Sequence, residues 1–402
     1  MARVFYDRAM DAVIELEADE ARAWTDAVGR YTDEVIAPLF ARAEQVVAQP
    51  DCRRALDGLL ALGVLNEGAD AGLGLWDLPD SALGRRLSLL YLQIVARQSA
   101  SLAWQMHLQA MARHLDRLAG VHDTSGRPLV LMQGQQGLGR DALVHALCGQ
   151  ALTPPQAAML ADNWCWPDAA RPRLLNALSD WTALWLCTWH EEAGWRWHRL
   201  DRSELVCEPL PAGLGLDELA LWSVQARTAA QAGGVGLSGV EAASAWTRLQ
   251  AVQAAGLLAI TQAGVWRAAG LAHEQAQLRR QGGQLIARHA AVQQLLSLAR
   301  GSASEAAQDL ARLGSPDTPW PALRELWRMR ARHQQRLSMG ASAALQVFGG
   351  MGYMKDTGLE RLLRQTHHLR LLGGSPAELQ LCVACWDTLC STWPDAGQEQ
   401  TA

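Results

Sequence analysis

Apolar residues recur at helical spacing along much of the chain. Leu83, Leu87, Leu90 and Ile94 fall at i, i+4, i+7 and i+11 and predict one face of a helix. Leu249, Val252, Gly256, Ile260 and Ala263 give a longer stripe, and Leu337, Ala341, Ala344, Leu345 and Phe348 a third. Between the first and second, residues 173–225 break into short β-like runs: Trp181–Trp189, Trp195–Leu200, Leu205–Leu210 and Leu219–Val224. Turn residues such as Glu192-Ala193-Gly194 and Pro211-Ala212-Gly213 divide them. Residues 121–170 are rich in Gly, Pro and Gln and mark a boundary. The pattern predicts an α+β chain, mostly helical. A helical N-terminal domain is expected over 1–125, a small β middle domain over 126–232 and a C-terminal helical bundle over 233–402.

With 402 residues the chain can bury a sizeable core. It is 49% hydrophobic and 19% charged, a globular rather than a disordered balance. A net charge of −5 without a basic block excludes nucleic acid as the main partner. No apolar run approaches the roughly 20 residues of a membrane span. The N-terminus, MARVFYDRAMDAVIELEADE, lacks a signal-peptide core, so a cytoplasmic protein is expected. Cys382 and Cys385 form a CxxC with Cys390 nearby, in a stretch that reads as a helix. No second ligand pair at zinc spacing accompanies them, so free thiols are expected and no metal site. Seventeen Trp stand against three Phe and four Tyr. Those between 164 and 197 read as core packing, with pocket lining as the alternative.

The third stripe stops at Gly349-Gly350, and Gly352 follows. The glycines serve either as a plain helix C-cap and turn or as a nest of backbone N–H groups for a phosphate.

The longer pattern, QVFGGMGY, then LERLLR, then LLGGSPAELQ, resembles the C-terminal signature of the acyl-CoA dehydrogenase family. Further fragments resemble the family in order: Glu34-Val35-Ile36-Ala37-Pro38, Ala61-Leu62-Gly63-Val64-Leu65, Gly72-Leu73-Gly74 and Ser99-Ala100-Ser101-Leu102-Ala103. Arg279-Arg280-Gln281-Gly282-Gly283, with Ile286 and Val292-Gln293, is similar to the family's R-x-Q-F-G segment, Gly282 replacing its Phe. The resemblance implies a helical N-domain, a small β-barrel-like middle domain and a C-terminal four-helix bundle. It also implies FAD and oxidation of an acyl thioester between Cα and Cβ.

In the family, FAD lies across a subunit interface. One set of segments holds the flavin ring within a subunit, and another reaches the ADP half of the neighbour's FAD. The resemblance assigns Arg279, Gln281, Gly283, Gln346, Gly349 and Gly350 to the second set, with Ser375 and Glu378 beside the cofactor. Glu378 is read as a cofactor contact or a cap. The first set is lost. Gln133-Gly134-Gln135-Gln136-Gly137-Leu138-Gly139-Arg140-Asp141 stands where the family has T-E-P-x-A-G-S-D, and Ser179-Asp180-Trp181-Thr182 is the nearest text to W-x-T. Gly373 occupies the place of the catalytic glutamate, and the alternative family site for that base reads Thr247-Arg248.

The expectation is therefore no catalytic residue at the usual position and FAD shared with a partner subunit. That partner is an FAD-competent acyl-CoA dehydrogenase chain, and the substrate an acyl-CoA, bulky or steroid-derived. One alternative is a self-sufficient divergent enzyme acting on an acyl-CoA or carrier-bound acyl group, its base among His367, His368 and Asp162. Another is a non-catalytic scaffold of the same fold.

Overall fold

The computed structural model describes residues 18–65, 74–122, 126–132, 139–211, 215–227 and 234–390. Gly72-Leu73, most of the 133–141 loop, Ala212-Gly213 and the Cys390 side chain lie outside the described residues.

Among the described residues the N-terminal part is carried by the long helices α1 (Ala18–Tyr31), α2 (Gln49–Ala61), α3 (Ala82–Ala96) and α4 (Ala100–Leu118). Serine hydroxyls start the last two: Ser81 accepts from the Gly84 N–H at 3.4 Å and Ser99 from Leu102 at 3.2 Å. The predicted α3 exists, but its deepest face is rotated from the expected stripe. Leu87 is buried, while Leu83, Leu90 and Ile94 are half-buried. Ser88, Tyr91, Leu92 and Val95 take the interior, where α3 packs against α4, α1 and the helix Gly239–Leu278.

Helix α4 is buried almost all round, so its polar side chains need partners inside the protein. Gln105 accepts the Leu178 N–H at 3.1 Å, and Asp116 accepts from the Trp185 indole at 2.9 Å and the Arg199 guanidinium at 3.0 Å. These bonds tie the N-terminal helices to the strands.

The strands form two separate sheets. β1 (Pro128–Leu131) pairs in parallel with β3 (Ala183–His190), which forms a hairpin with β4 (Gly194–Asp201), and β7 (Gly236–Ser238) adds to β4. β2 (Arg173–Ala177), β6 (Ala220–Ala226) and β5 (Leu205–Leu210) make a three-stranded antiparallel sheet in that order. The β-barrel-like expectation is corrected: no ladder joins the two sheets among the described residues, so the barrel does not close. Two helices also interrupt the boundary segment, α5 (Arg140–Leu147) and α6 (Pro154–Asn163).

The C-terminal part is built on α7 (Gly239–Leu278), a helix of 40 residues and about 60 Å. All five residues of its predicted stripe are buried. It packs against α8 (Ala290–Leu313), α9 (Leu323–Phe348) and α10 (Leu359–Leu369), and α11 (Pro376–Cys390) closes the bundle on α9. Cys382 is buried and free, and the free Cys385 thiol donates to Asp141 of α5 at 3.1 Å. No helix among the described residues is long and apolar enough to cross a membrane.

Tryptophan joins sheet to bundle. Trp189 and Trp164 each meet Trp195 edge-on at 5.0 Å, and Trp195 stacks on Trp246 of α7 at 4.6 Å and 18°. Trp246 then meets Trp327 of α9 at 6.5 Å, and Trp327 meets Trp386 of α11 at 5.9 Å.

A buried ion pair joins three parts. Glu218, in the loop before β6, is 1% exposed and takes the Arg361 guanidinium of α10 and the Ser101 hydroxyl of α4. Beside it, Asp217 accepts both arms of Arg364 at 2.7 and 2.9 Å. Glu218→Ala should destabilise the protein by about 3–5 kcal/mol, because Arg361 is left buried and unpaired. The Glu218→Leu, Arg361→Met double variant should recover much of that loss in urea denaturation.

His107 and His114 on α4 are both pushed down to about 3, chiefly by burial and further by nearby arginines. They are neutral in the fold, whereas each titrates near 6.5 in the unfolded chain. The unfolded state therefore binds more protons below that value, and stability falls as pH drops from about 6.5 toward 3. Unfolding free energies measured across that window should show this slope. It should flatten in His107→Gln, which keeps an acceptor for Trp76.

Candidate functional site

Helix α9 ends because Gly349 takes φ +62 and ψ −139, a conformation closed to residues with a side chain. The Arg279 guanidinium, from the end of α7, donates to the Phe348 carbonyl at 3.0 Å. Two motifs distant in sequence thus meet at one point. After Arg279 the chain makes a small hairpin, Arg280–Gln281 against Gln284–Leu285. Its turn places Gly282 at φ +58 and Gly283 at φ +82, the pair of positive values that a type I′ turn needs. That requirement explains glycine at 282.

Gln281, Gly283, Gln346, Gly349 and Gly350 are exposed, and Arg279 is half-buried. Gln346 lines a shallow cavity of about 480 Å³ with Met339, Ser342, His367 and Arg370. Arg279 makes no ion pair among the described residues and keeps guanidinium N–H groups beyond the one spent on Phe348. An unpaired guanidinium beside an exposed glycine turn fits an anion such as a pyrophosphate.

Gly373 lies in a different setting. It follows α10 at φ +62, and a Cβ built there would come within 2.5 Å of Gln253 Oε1 and 3.2 Å of Arg330 Nη1. Arg330, 1% exposed on α9, donates to the Gly373 carbonyl at 2.7 Å and to the Leu372 carbonyl. Burial pulls its guanidinium down to about 9, while the Glu378 carboxylate acts in the opposite direction. Gln253 Oε1, Arg330 Nε and His107 Nε2 have no hydrogen-bond partner among the described residues. A side chain at this position is strained by the positive φ, and the Gln253 amide has to move to admit its Cβ.

Ser375 and Glu378 cap the start of α11. The Ser375 N–H donates to Glu378 at 2.7 Å, and the Glu378 N–H donates to the Ser375 hydroxyl at 3.3 Å. The candidate bases are scattered. His367 lies largely exposed on α10, its imidazole pKa lowered by partial desolvation and by Arg370. His368 meets Asn176 of β2 at 3.2 Å. Asp162 is exposed and paired with Arg171. Thr247 bonds back to the Ala243 carbonyl at 3.1 Å, and Arg248 pairs with Asp80 at 2.9 Å. Among the described residues no cluster of three or more His, Cys, Asp or Glu side chains is placed to hold a metal.

Sequence reasoning missed Arg330, Gln253 and His107. The signal was present for the first. Trp327, Arg330, Gln334, Leu337 and Ala341 continue one helical stripe, so an arginine sits on a face that must be buried.

Residues 245–383 match the model of the acyl-CoA dehydrogenase C-terminal domain. No curated protein matches the chain in sequence. Solved structures match over nearly its whole length. Butyryl-CoA dehydrogenase from Megasphaera elsdenii is 12% identical, with 92% of this chain and 98% of that one covered at a TM-score of 0.68. Glutaryl-CoA dehydrogenase from Mycobacterium smegmatis is 14% identical, with 94% and 96% covered at 0.68. The prolyl acyl carrier protein oxidase AnaB is 12% identical, with 92% and 98% covered at 0.67. The chain is thus built on the acyl-CoA dehydrogenase fold, and the family model's match falls on its C-terminal bundle.

Proposed function

We propose that this chain is the subunit of a heteromeric acyl-CoA dehydrogenase that completes its partner's FAD site and carries no base of its own. The observation behind the reading is the contrast between two places. Arg279 stands unpaired beside the exposed Gly349-Gly350 turn, while a side chain at Gly373 is strained by positive φ and crowds Gln253 and Arg330. Arg279 would hold a pyrophosphate oxygen through charge-assisted hydrogen bonds, with Gln281, Gly283, Gln346, Gly349 and Gly350 facing the ADP half. FAD, when bound, supplies the acceptor for the hydride leaving Cβ of an acyl thioester. The α-proton requires a carboxylate, which the partner would provide.

A second reading, a self-sufficient enzyme acting on an acyl-CoA or carrier-bound acyl group, is favoured by two unpartnered buried polar atoms, Gln253 Oε1 beside Gly373 and His107 Nε2 beside Gly256. The visible spectrum of the chain purified alone separates the two. A stoichiometric flavin band belongs to the second reading, and a colourless protein to the first.

Arg279→Ala should weaken FAD binding about ten- to a hundredfold in the co-expressed complex. Stability of the isolated chain should change by only about 0.5–1 kcal/mol, since the residue caps an exposed helix end. Titration of FAD into apo-complex checks the first value, and equal affinities for both forms would remove Arg279 from the site.

Gly373→Glu should create no dehydrogenase activity and should destabilise the chain by about 2–4 kcal/mol, through left-handed strain and overpacking against Gln253. Gly373→Ala should show roughly half of that cost. A urea midpoint unchanged by either substitution would show that the position has room for a base.

A further inference from the structure

A second groove lies away from Gly373. Gln253 meets Gly373, and Gln262 follows nine residues later on α7, about 13 Å along the axis and half a turn round. At Gln262 a cavity of about 510 Å³ opens between α3, α7, α8 and the turn after α8, a volume typical of small-molecule sites.

Helices α3 and α7 run side by side in the same direction. Asp80 pairs with Arg248 at 2.9 Å, the Gln93 amide donates to Gln262 at 2.8 Å, and Arg267 donates to the Arg97 carbonyl at 2.6 Å. Gly314, just past α8, packs on Arg86. The groove therefore has Arg86 at one end and Arg97, with Trp266, at the other. Eleven residues separate the two arginines, about 16 Å of helix, and they fall on nearly the same face.

Both arginines are exposed, and neither has an ion-pair partner among the described residues. Elsewhere Arg328, Arg332 and Arg364 are paired with carboxylates, in a chain of net charge −5. Between the two ends, Leu89, Leu90, Leu310, Ala307 and Ala311 line the walls. The floor needs little hydrogen bonding: Gln262 accepts from Gln93 and donates to the Ala303 carbonyl at 3.2 Å.

We propose that this groove binds a medium-chain α,ω-dicarboxylate, with one carboxylate at Arg86, the other at Arg97 and the methylene chain along the leucines. A compact anion has no apolar body to lay on Leu89 and Leu90. A fatty monocarboxylate engages one arginine and leaves the other, and a short diacid cannot span the two. The inference is independent of the function proposed above, because no residue is shared.

Isothermal titration of the full chain with dodecanedioate, dodecanoate and hexanedioate tests it. Dodecanedioate should bind once per chain, about tenfold or more tighter than either comparator. Arg86→Ala or Arg97→Ala alone should bring its affinity down to that of dodecanoate. Ala311→Trp, at an exposed wall position, should abolish binding with the far-ultraviolet circular dichroism unchanged. Absence of saturable binding, equal affinity for dodecanoate, or binding that survives Ala311→Trp overturns the proposal. Arg86 and Arg97 are then solvated surface charges.

Discussion

A carboxylate removed from water must be matched by a cation that stays in place, and Glu218 imposes that condition on this fold. Its partner Arg361 stands on α10, and Arg361 also lies over the Phe40 ring at 5.5 Å. The pair therefore holds α10 against both the N-terminal helices and the loop before β6. Helix α10 leads directly into the turn at Leu372-Gly373, which Arg330 grips from α9. The backbone course at the candidate active position follows from this succession of buried charges.

Tryptophan has a comparable role between sheet and bundle. Six indole rings run from Trp189 to Trp386 through α7 and α9, each within 6.5 Å of the next. Aromatic contacts of this kind add a preferred geometry to the area that they bury. The seam takes six of the chain's seventeen Trp, whose large rings span from sheet to bundle.

The long helices were legible because their stripes face a core on one side, as in Leu249–Ala263 and Leu337–Phe348. The strands at 183–190, 194–201, 205–210 and 220–226 followed from the turns between them. Helix α3 was legible as a helix but not in rotation, because Leu90 and Ile94 carry apolar character without full burial. Helix α6 was missed although Thr153-Pro154-Pro155-Gln156 announces it: threonine caps it, proline starts it and Gln156 returns to the Thr153 N–H at 2.9 Å. Whether strands close into a barrel depends on pairing across sheets, which alternation within a strand does not encode. Arg279 and Gly349 were linked only through family resemblance, since no local rule brings the end of one helix to the end of another. Gly373 was visible as a missing carboxylate. That a side chain there is strained, and crowds Gln253 and Arg330 from two other helices, depends on the backbone turn and on tertiary packing.

That crowding, with the positive φ, also bears on which substitutions the position accepts. A glutamate at 373 needs a different backbone turn, space now held by the Gln253 amide and release of two carbonyls from Arg330. Removing Arg330 alone leaves those carbonyls unsatisfied, and shortening Gln253 alone opens a void; either step lowers stability before any benefit arises. Restoring a carboxylate here means re-forming the turn, the Gln253 contact and the Arg330 contacts together.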